Sequence, residues 1–210
     1  MSSADFGRWG TLAAMVGGAL WALFPFGTPI ANIEGHSMLG HPASIAYFWL
    51  MAVIPLLLLL VGLVGVYAGQ SGTYGRLGRF GFPVSIIALG LMFVGNAWEI
   101  GSLTFRGSES AVGHSAFLVG FLVLLVGSVL VGLAIWRVRR DPPACLGSAL
   151  LVGALPLGIL LAIVLGSLVP HSDLGFWAAI AVPFGVAWLV LGRAFRTRPL
   201  GPVGDPARVR

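Results

Sequence analysis

Six long apolar stretches dominate the sequence and restrict what it can fold into. Each is long enough to cross the hydrocarbon core of a bilayer as an α-helix, which needs about 20 apolar residues. Hydrophobic residues make up 58% of the 210 positions and charged residues only 9%, more apolar surface than a water-soluble core could enclose. The sequence therefore predicts an all-α integral membrane protein, a bundle of six transmembrane helices. The predicted spans are residues 9–30, 44–69, 81–105, 115–136, 146–169 and 174–195.

The segments that connect these stretches are short. We therefore expect a single transmembrane domain over residues 1–195, without room for a folded soluble domain. Residues 196–210 are rich in proline, glycine and arginine and lack apolar periodicity, which predicts a disordered basic tail near lipid headgroups. A Leu-Val-Gly triplet recurs at 63–65 and 130–132 and allows three tandem helical hairpins, although such matches arise easily in this composition.

The basic residues lie almost entirely on one side of this predicted topology. All twelve are arginine, and Arg106 alone falls on the opposite side from the other eleven. Because connections that carry arginine tend to stay in the cytoplasm, we predict a cell-membrane protein with both termini cytoplasmic. The eleven are Arg8, Arg76, Arg79, Arg137, Arg139, Arg140, Arg193, Arg196, Arg198, Arg208 and Arg210.

Composition also excludes several classes of function. A net charge of +5 suggests nucleic acid in a soluble chain, but arginines that flank apolar runs are better explained by lipid headgroups. We therefore expect the lipid bilayer as a partner, and neither nucleic acid nor nucleotide. The absence of lysine excludes Schiff-base chemistry and a phosphate-loop lysine. Cys145 is the single cysteine, and no motif assigns a catalytic residue.

Glu99 is the most unusual residue within a predicted span. It lies one or two turns inside the outer end of the third stretch, where an ionised carboxylate in lipid is costly. Asn96 precedes it by three residues and shares its helical face. We predict that both side chains face the bundle interior or a hydrated cavity, where they form a ligand pocket or a structural hydrogen bond.

All four histidines fall on the side opposite the eleven arginines, together with several carboxylates. Imidazole and carboxylate groups are ligands that zinc, copper and iron accept, so a metal or haem site is one interpretation. The spacing of the first two histidines matches no standard metal motif, however, and solvated or pH-sensing histidines are the alternatives. No cofactor is required by the sequence. The candidate metal ligands are His36, His41, His114, His171 and Asp173.

Two of the stretches carry a small residue at every fourth position. Such ladders let helix backbones approach closely and gain van der Waals contact where lipid supplies no hydrophobic drive between helices. They either pack inside the bundle or form a seam with a second copy or a membrane-protein partner. The ladders are Gly10, Ala14, Gly18 and Ala22 in the first stretch, and Ala154, Gly158, Ala162 and Gly166 in the fifth.

These features leave three interpretations of function. The first is a non-catalytic accessory or structural subunit of a membrane assembly, because the ladders offer surfaces to partner helices. The second is a binding or redox protein with a metal, haem or small-ligand pocket at the extracytoplasmic side, formed by Glu99, Asn96 and the outer histidines. The third, a small transporter or channel, is disfavoured because so few charged residues lie within the spans.

Overall fold

A computed structural model describes residues 3–31, 42–70, 74–169 and 174–197, and these residues are helical almost throughout. The predicted all-α bundle is thereby confirmed. The helices are α1 (Ser3–Ala31), α2 (Pro42–Phe48), a π-helical turn (Trp49–Val53), α3 (Ile54–Gln70), α4 (Gly75–Arg106), α5 (Ala111–Val138), α6 (Pro142–Val152), α7 (Ala154–Leu168) and α8 (Leu174–Thr197).

The helices follow the predicted spans, with one difference. Five segments are long and apolar enough to cross a bilayer, and the bent pair of α6 and α7 makes a sixth if it crosses as one span. The sequence predicted one stretch over 146–169, but α6 and α7 meet at 69° across Gly153. Pro156 accounts for part of this break, since it has no N–H to donate to the carbonyl of Val152. The five are Gly7–Gly27, Pro42–Ala68, Gly75–Arg106, Ala111–Val138 and Leu174–Thr197.

Helices that are adjacent in the chain pack together, and the first and last helices also pack on each other. α1 lies between α3 and α8, α4 pairs with α5, and α6 contacts both α5 and α8. We call the end of the bundle where α1 begins and α8 ends the basic end. The opposite end, where α4 ends and α5 begins, is the histidine end; the connections 32–41 and 170–173 join helices there.

Aromatic side chains fill the bundle interior toward the histidine end. Phe24 stacks on Trp21 with ring centroids 5.4 Å apart, and the Tyr47 hydroxyl donates to the Phe24 carbonyl. Trp177 packs edge-on against Phe24 at 5.2 Å and reaches Phe117 at 5.9 Å. These contacts join α1, α2, α5 and α8, because each ring spans the gap between two helices.

The first small-residue ladder lies at two helix crossings within the bundle. A Cβ added to Gly10 would lie 2.7 Å from the Cα of Gly65, so the first part of α1 packs directly on α3. A Cβ added to Gly18 would lie 2.5 Å from the carbonyl oxygen of Gly185 on α8. Ala14 and Ala22 continue these two contacts, against α3 and α8 respectively.

The second ladder also contacts a helix of the same chain. Gly158 approaches the Ala179 carbonyl, and a Cβ on Gly175 would lie 2.7 Å from the Ala162 carbonyl and 3.0 Å from the Gly166 nitrogen. Ala154 is buried beside α8 as well. Both ladders are therefore used in packing within the bundle.

Arg139 is buried at the basic end, although the sequence placed it among arginines at the membrane surface. Its side chain is only 3% exposed, and its Nε donates to Asp141 Oδ1 at 3.0 Å. Its Nη2 donates to the Ala194 carbonyl at 3.4 Å, and the guanidinium lies 5.2 Å from the ring centroid of Phe195. Arg139 thus ties the α5–α6 connection to the last turns of α8.

Tyr74, just before α4, belongs to the same cluster. It is 3% exposed, and burial raises the pKa of its hydroxyl above the ordinary value. The positive charge of Arg139 opposes this rise in pKa, and the negative charge of Asp141 adds to it. The start of α4 is therefore held next to the ends of α5 and α8.

Replacing Gly185 with alanine should destabilise the bundle, because the new methyl group would lie 2.5 Å from the Gly18 carbonyl. Overpacking of this kind costs about 1–3 kcal/mol. Gly90 is the matched control, since a Cβ there meets no atom within 4 Å and alanine favours a helix by up to about 1 kcal/mol. In the same detergent, the melting temperature of Gly185→Ala should be lower than that of the parent protein. The melting temperature of Gly90→Ala should be equal to the parent's or higher. Equal melting temperatures would contradict the packing described above.

Replacing Arg139 with methionine should destabilise the protein far more than the same change at its exposed neighbour Arg140. The first substitution leaves the Asp141 carboxylate without its cation, and breaking a buried pair costs about 3 kcal/mol. Arg140→Met removes the same charge but no buried contact. Denaturant or thermal unfolding of the two variants measures the difference, and similar losses in both would show that net charge, not burial, is responsible.

Candidate functional site

Glu99 and His114 meet between α4 and α5, near the histidine end. Their Oε1 and Nδ1 atoms are 3.1 Å apart, although the residues are 15 positions apart in the chain. Two glycines allow this approach: a Cβ on Gly113 would lie 2.8 Å from the Glu99 nitrogen, and one on Gly95 would lie 2.5 Å from the Phe117 nitrogen. Because the two backbones nearly touch, the short imidazole reaches the carboxylate of the facing helix.

The α4–α5 connection positions His114. Gly107 ends α4 with a φ of 66°, and its N–H donates to the Leu103 carbonyl at 3.2 Å. Ser110 then caps α5, its hydroxyl accepting from the Gly113 N–H at 3.2 Å. Only glycine adopts such a φ readily, so this turn is tightly specified. His114 consequently stands in the first turn of α5, opposite Glu99.

The carboxylate and the imidazole differ in their exposure to solvent. The Glu99 side chain is 17% exposed, whereas that of His114 is 47% exposed. In the tautomer in which neutral His114 donates its Nδ1–H to Glu99 Oε1, the Nε2 lone pair is available. Proteins use a carboxylate in this position to orient metal-binding histidines and to raise their basicity. The pair can therefore present Nε2 to a metal ion or a proton.

Asn96 lies one turn before Glu99 on α4 and is 5% exposed. Its Nδ2 is buried and has no hydrogen-bond partner among the residues that the structure describes. An unpaired buried donor costs about 1–3 kcal/mol, so the buried amide of Asn96 is a place where a water or a polar ligand could bind. The sequence singled out Asn96 and Glu99 together, but the hydrogen bond of Glu99 goes to His114.

The other sequence-predicted ligands lie outside the described residues. These are His36, His41, His171 and Asp173. Within residues 3–31, 42–70, 74–169 and 174–197, no three histidine, cysteine, aspartate or glutamate side chains form a group suited to a metal ion.

Sequence reasoning grouped Glu99 and Asn96 with the outer histidines in one possible pocket, but it did not identify His114 as the histidine that contacts Glu99. A signal that could have joined them is the presence of Gly95 and Gly113 on the two facing helices, each one turn or less from the pair. Sequence reasoning did not predict that Arg139 is buried. The sequence Arg139-Arg140-Asp141, at the junction of two helices, was the available signal for that ion pair.

Comparisons of the chain with protein-family models, with curated proteins and with solved structures find no match. The chain is thus a helical, apolar, multi-pass membrane protein with a carboxylate–imidazole pair at one end of its bundle.

Proposed function

We propose that this protein binds a divalent transition-metal ion at its histidine end, on the extracytoplasmic side of the cell membrane. The observation that carries the proposal is the 3.1 Å contact between Glu99 Oε1 and His114 Nδ1. It orients the imidazole so that Nε2 is the free ligand atom. Imidazole nitrogen is a ligand suited to zinc, copper, iron and nickel.

In this proposal the roles of the site residues differ. His114 is the ligand, and Glu99 is the positioning residue that holds the ring through Nδ1. The sequence predicts further candidate ligands, which lie outside the described residues: His36, His41, His171 and Asp173. Asn96 offers its unpaired Nδ2 to a water or an anionic co-ligand beneath the pair.

Charge supports the assignment of the site to the extracytoplasmic side. Among the described residues, seven exposed arginines lie at the basic end, and Arg106 lies at the histidine end. The positive-inside rule therefore orients the basic end, with both termini, toward the cytoplasm. The seven are Arg8, Arg76, Arg79, Arg137, Arg140, Arg193 and Arg196.

A second candidate function, a non-catalytic subunit of a membrane assembly, is favoured by the exposure of α7. Bent away from α6, α7 packs mainly on α8 and scarcely touches α5. Several of its apolar side chains are accordingly more than half exposed, and a partner helix could cover them in place of lipid. They include Leu155, Ile159, Leu160 and Ile163, at 52%, 53%, 57% and 65%.

Metal-stripped full-length protein in detergent should bind Zn²⁺ with a stoichiometry of one by calorimetry. His114→Ala should abolish this binding. Glu99→Gln should weaken it by about 10–100-fold without changing the stoichiometry, since losing the carboxylate behind a metal-binding histidine has this effect. Glu109→Gln, which removes an exposed carboxylate from the same end, should bind like the parent protein.

Two results would overturn the metal proposal. One is a parent protein that does not bind Zn²⁺ at micromolar concentration. The other is a His114→Ala variant that binds as tightly as the parent, with unchanged melting temperature. Either result would leave the Glu99–His114 contact as a hydrogen bond that serves packing alone.

The subunit proposal predicts a difference between two lipid-facing positions. A photo-crosslinking amino acid at Ile163 on α7 should give a discrete protein adduct in native membranes. The same probe at Ile87, which is 62% exposed on α4, should give lipid adducts only. Mass spectrometry of the products measures both, and lipid adducts at both positions would rule out a stable partner on α7.

A further inference from the structure

An open pocket, called the cavity below, lies at the basic end of the bundle, opposite the end that carries Glu99. It has a volume of about 270 Å³ and is lined by Arg8, Trp9 and Leu12 of α1 and by Arg196 of α8. This volume is close to the lower limit of ligand pockets, which enclose about 300–1,000 Å³. The cavity therefore has room for a small charged group with part of its attached chain.

The packing of α8 on α1 brings the two arginines to this cavity. A Cβ on Gly192 would lie 2.9 Å from the Thr11 carbonyl oxygen, so the helices are nearly in backbone contact one turn below Arg196. The Thr11 hydroxyl donates to the Arg8 carbonyl at 2.8 Å and reinforces that first part of α1. The positions of Arg8 and Arg196 thus follow from a rigid helix crossing.

Neither guanidinium has a carboxylate within salt-bridge distance among the described side chains, whose ion pairs are His114–Glu99 and Arg139–Asp141. Two cations that share a cavity repel each other, and an anion between them removes that repulsion. Guanidinium groups bind phosphate through paired N–H donors, which makes phosphate the anion best matched to this pair.

We propose that the cavity binds the phosphate of an anionic phospholipid headgroup. The arginines meet the phosphate, and Trp9 and Leu12 contact the glycerol and upper acyl region. Leu12 lies one turn farther into the span than Arg8, so the lining changes from charged to apolar toward the membrane interior. A phospholipid changes in the same direction, from its charged headgroup to its apolar chains. Trp9 is 63% exposed, as expected for an indole at the membrane interface.

A free phosphate ion and a lipid phosphate share the arginine contacts but not the apolar ones. A free ion gains nothing from Trp9 or Leu12, whereas a phospholipid buries part of its glycerol and chain against them. Because the cavity opens beside the first span of a membrane-embedded bundle, lipid also reaches it at high local concentration. Both considerations favour the lipid.

Native mass spectrometry of the full-length protein, with phosphatidylglycerol and phosphatidylcholine added separately, tests the proposal. The parent protein should retain phosphatidylglycerol preferentially. In the double variant Arg8→Gln/Arg196→Gln, the preference for phosphatidylglycerol over phosphatidylcholine should fall at least about fivefold. This factor is the contribution of one basic residue near an anionic surface. The matched control, Arg76→Gln/Arg193→Gln, removes two exposed arginines from the same end outside the cavity and should keep the preference.

A second variant separates lipid from free phosphate. Trp9→Ala should weaken phosphatidylglycerol binding and leave any stabilisation of the melting temperature by inorganic phosphate unchanged. The proposal is overturned if both double variants lose the preference equally, since the charge effect would then be spread over the surface. It is also overturned if inorganic phosphate displaces phosphatidylglycerol completely at equal concentration, or if the parent protein shows no preference.

Discussion

The close approach of helix backbones at glycine is the interaction on which the rest of this structure depends. Lipid is as apolar as the side chains it surrounds, so helices associate through contact area and not through expulsion of water. Gly10, Gly18 and Gly185 give α1 that contact with α3 and α8. The same device positions both proposed sites: Gly113 brings Glu99 to His114, and Gly192 brings α8 and its Arg196 beside α1.

The ion pairs at the two ends of the bundle differ in how deeply they are buried. At the basic end, Arg139 is almost fully buried, pairs with Asp141 and contacts the last turns of α8, so its charge is already paired within the protein. At the histidine end, the pair is open on one side, since His114 is half exposed and Glu99 lies beneath it. Removing one partner of a buried pair leaves an uncompensated charge inside the protein, whereas an accessible imidazole is available for binding.

The helical architecture was predictable, and the break in it was not. Apolar runs longer than a bilayer crossing must be helical, because lipid supplies no partners for free backbone groups. Prolines occur within α4 at Pro83 and within α8 at Pro183, and both helices continue past them. The 69° bend between α6 and α7 falls where Gly153 and Pro156 lie three residues apart, whereas Pro83 and Pro183 stand without such a break.

By itself, the sequence determined the fold class, the approximate spans, the asymmetry of arginine and the anomalous placement of Glu99 in an apolar run. These follow from composition and local order, which the chain carries in any conformation. Only the tertiary structure decided that Glu99 faces His114, that Arg139 is buried and that Arg8 and Arg196 line one cavity. Each of these relations joins residues on different helices, and it exists only once helix crossings have set which faces meet.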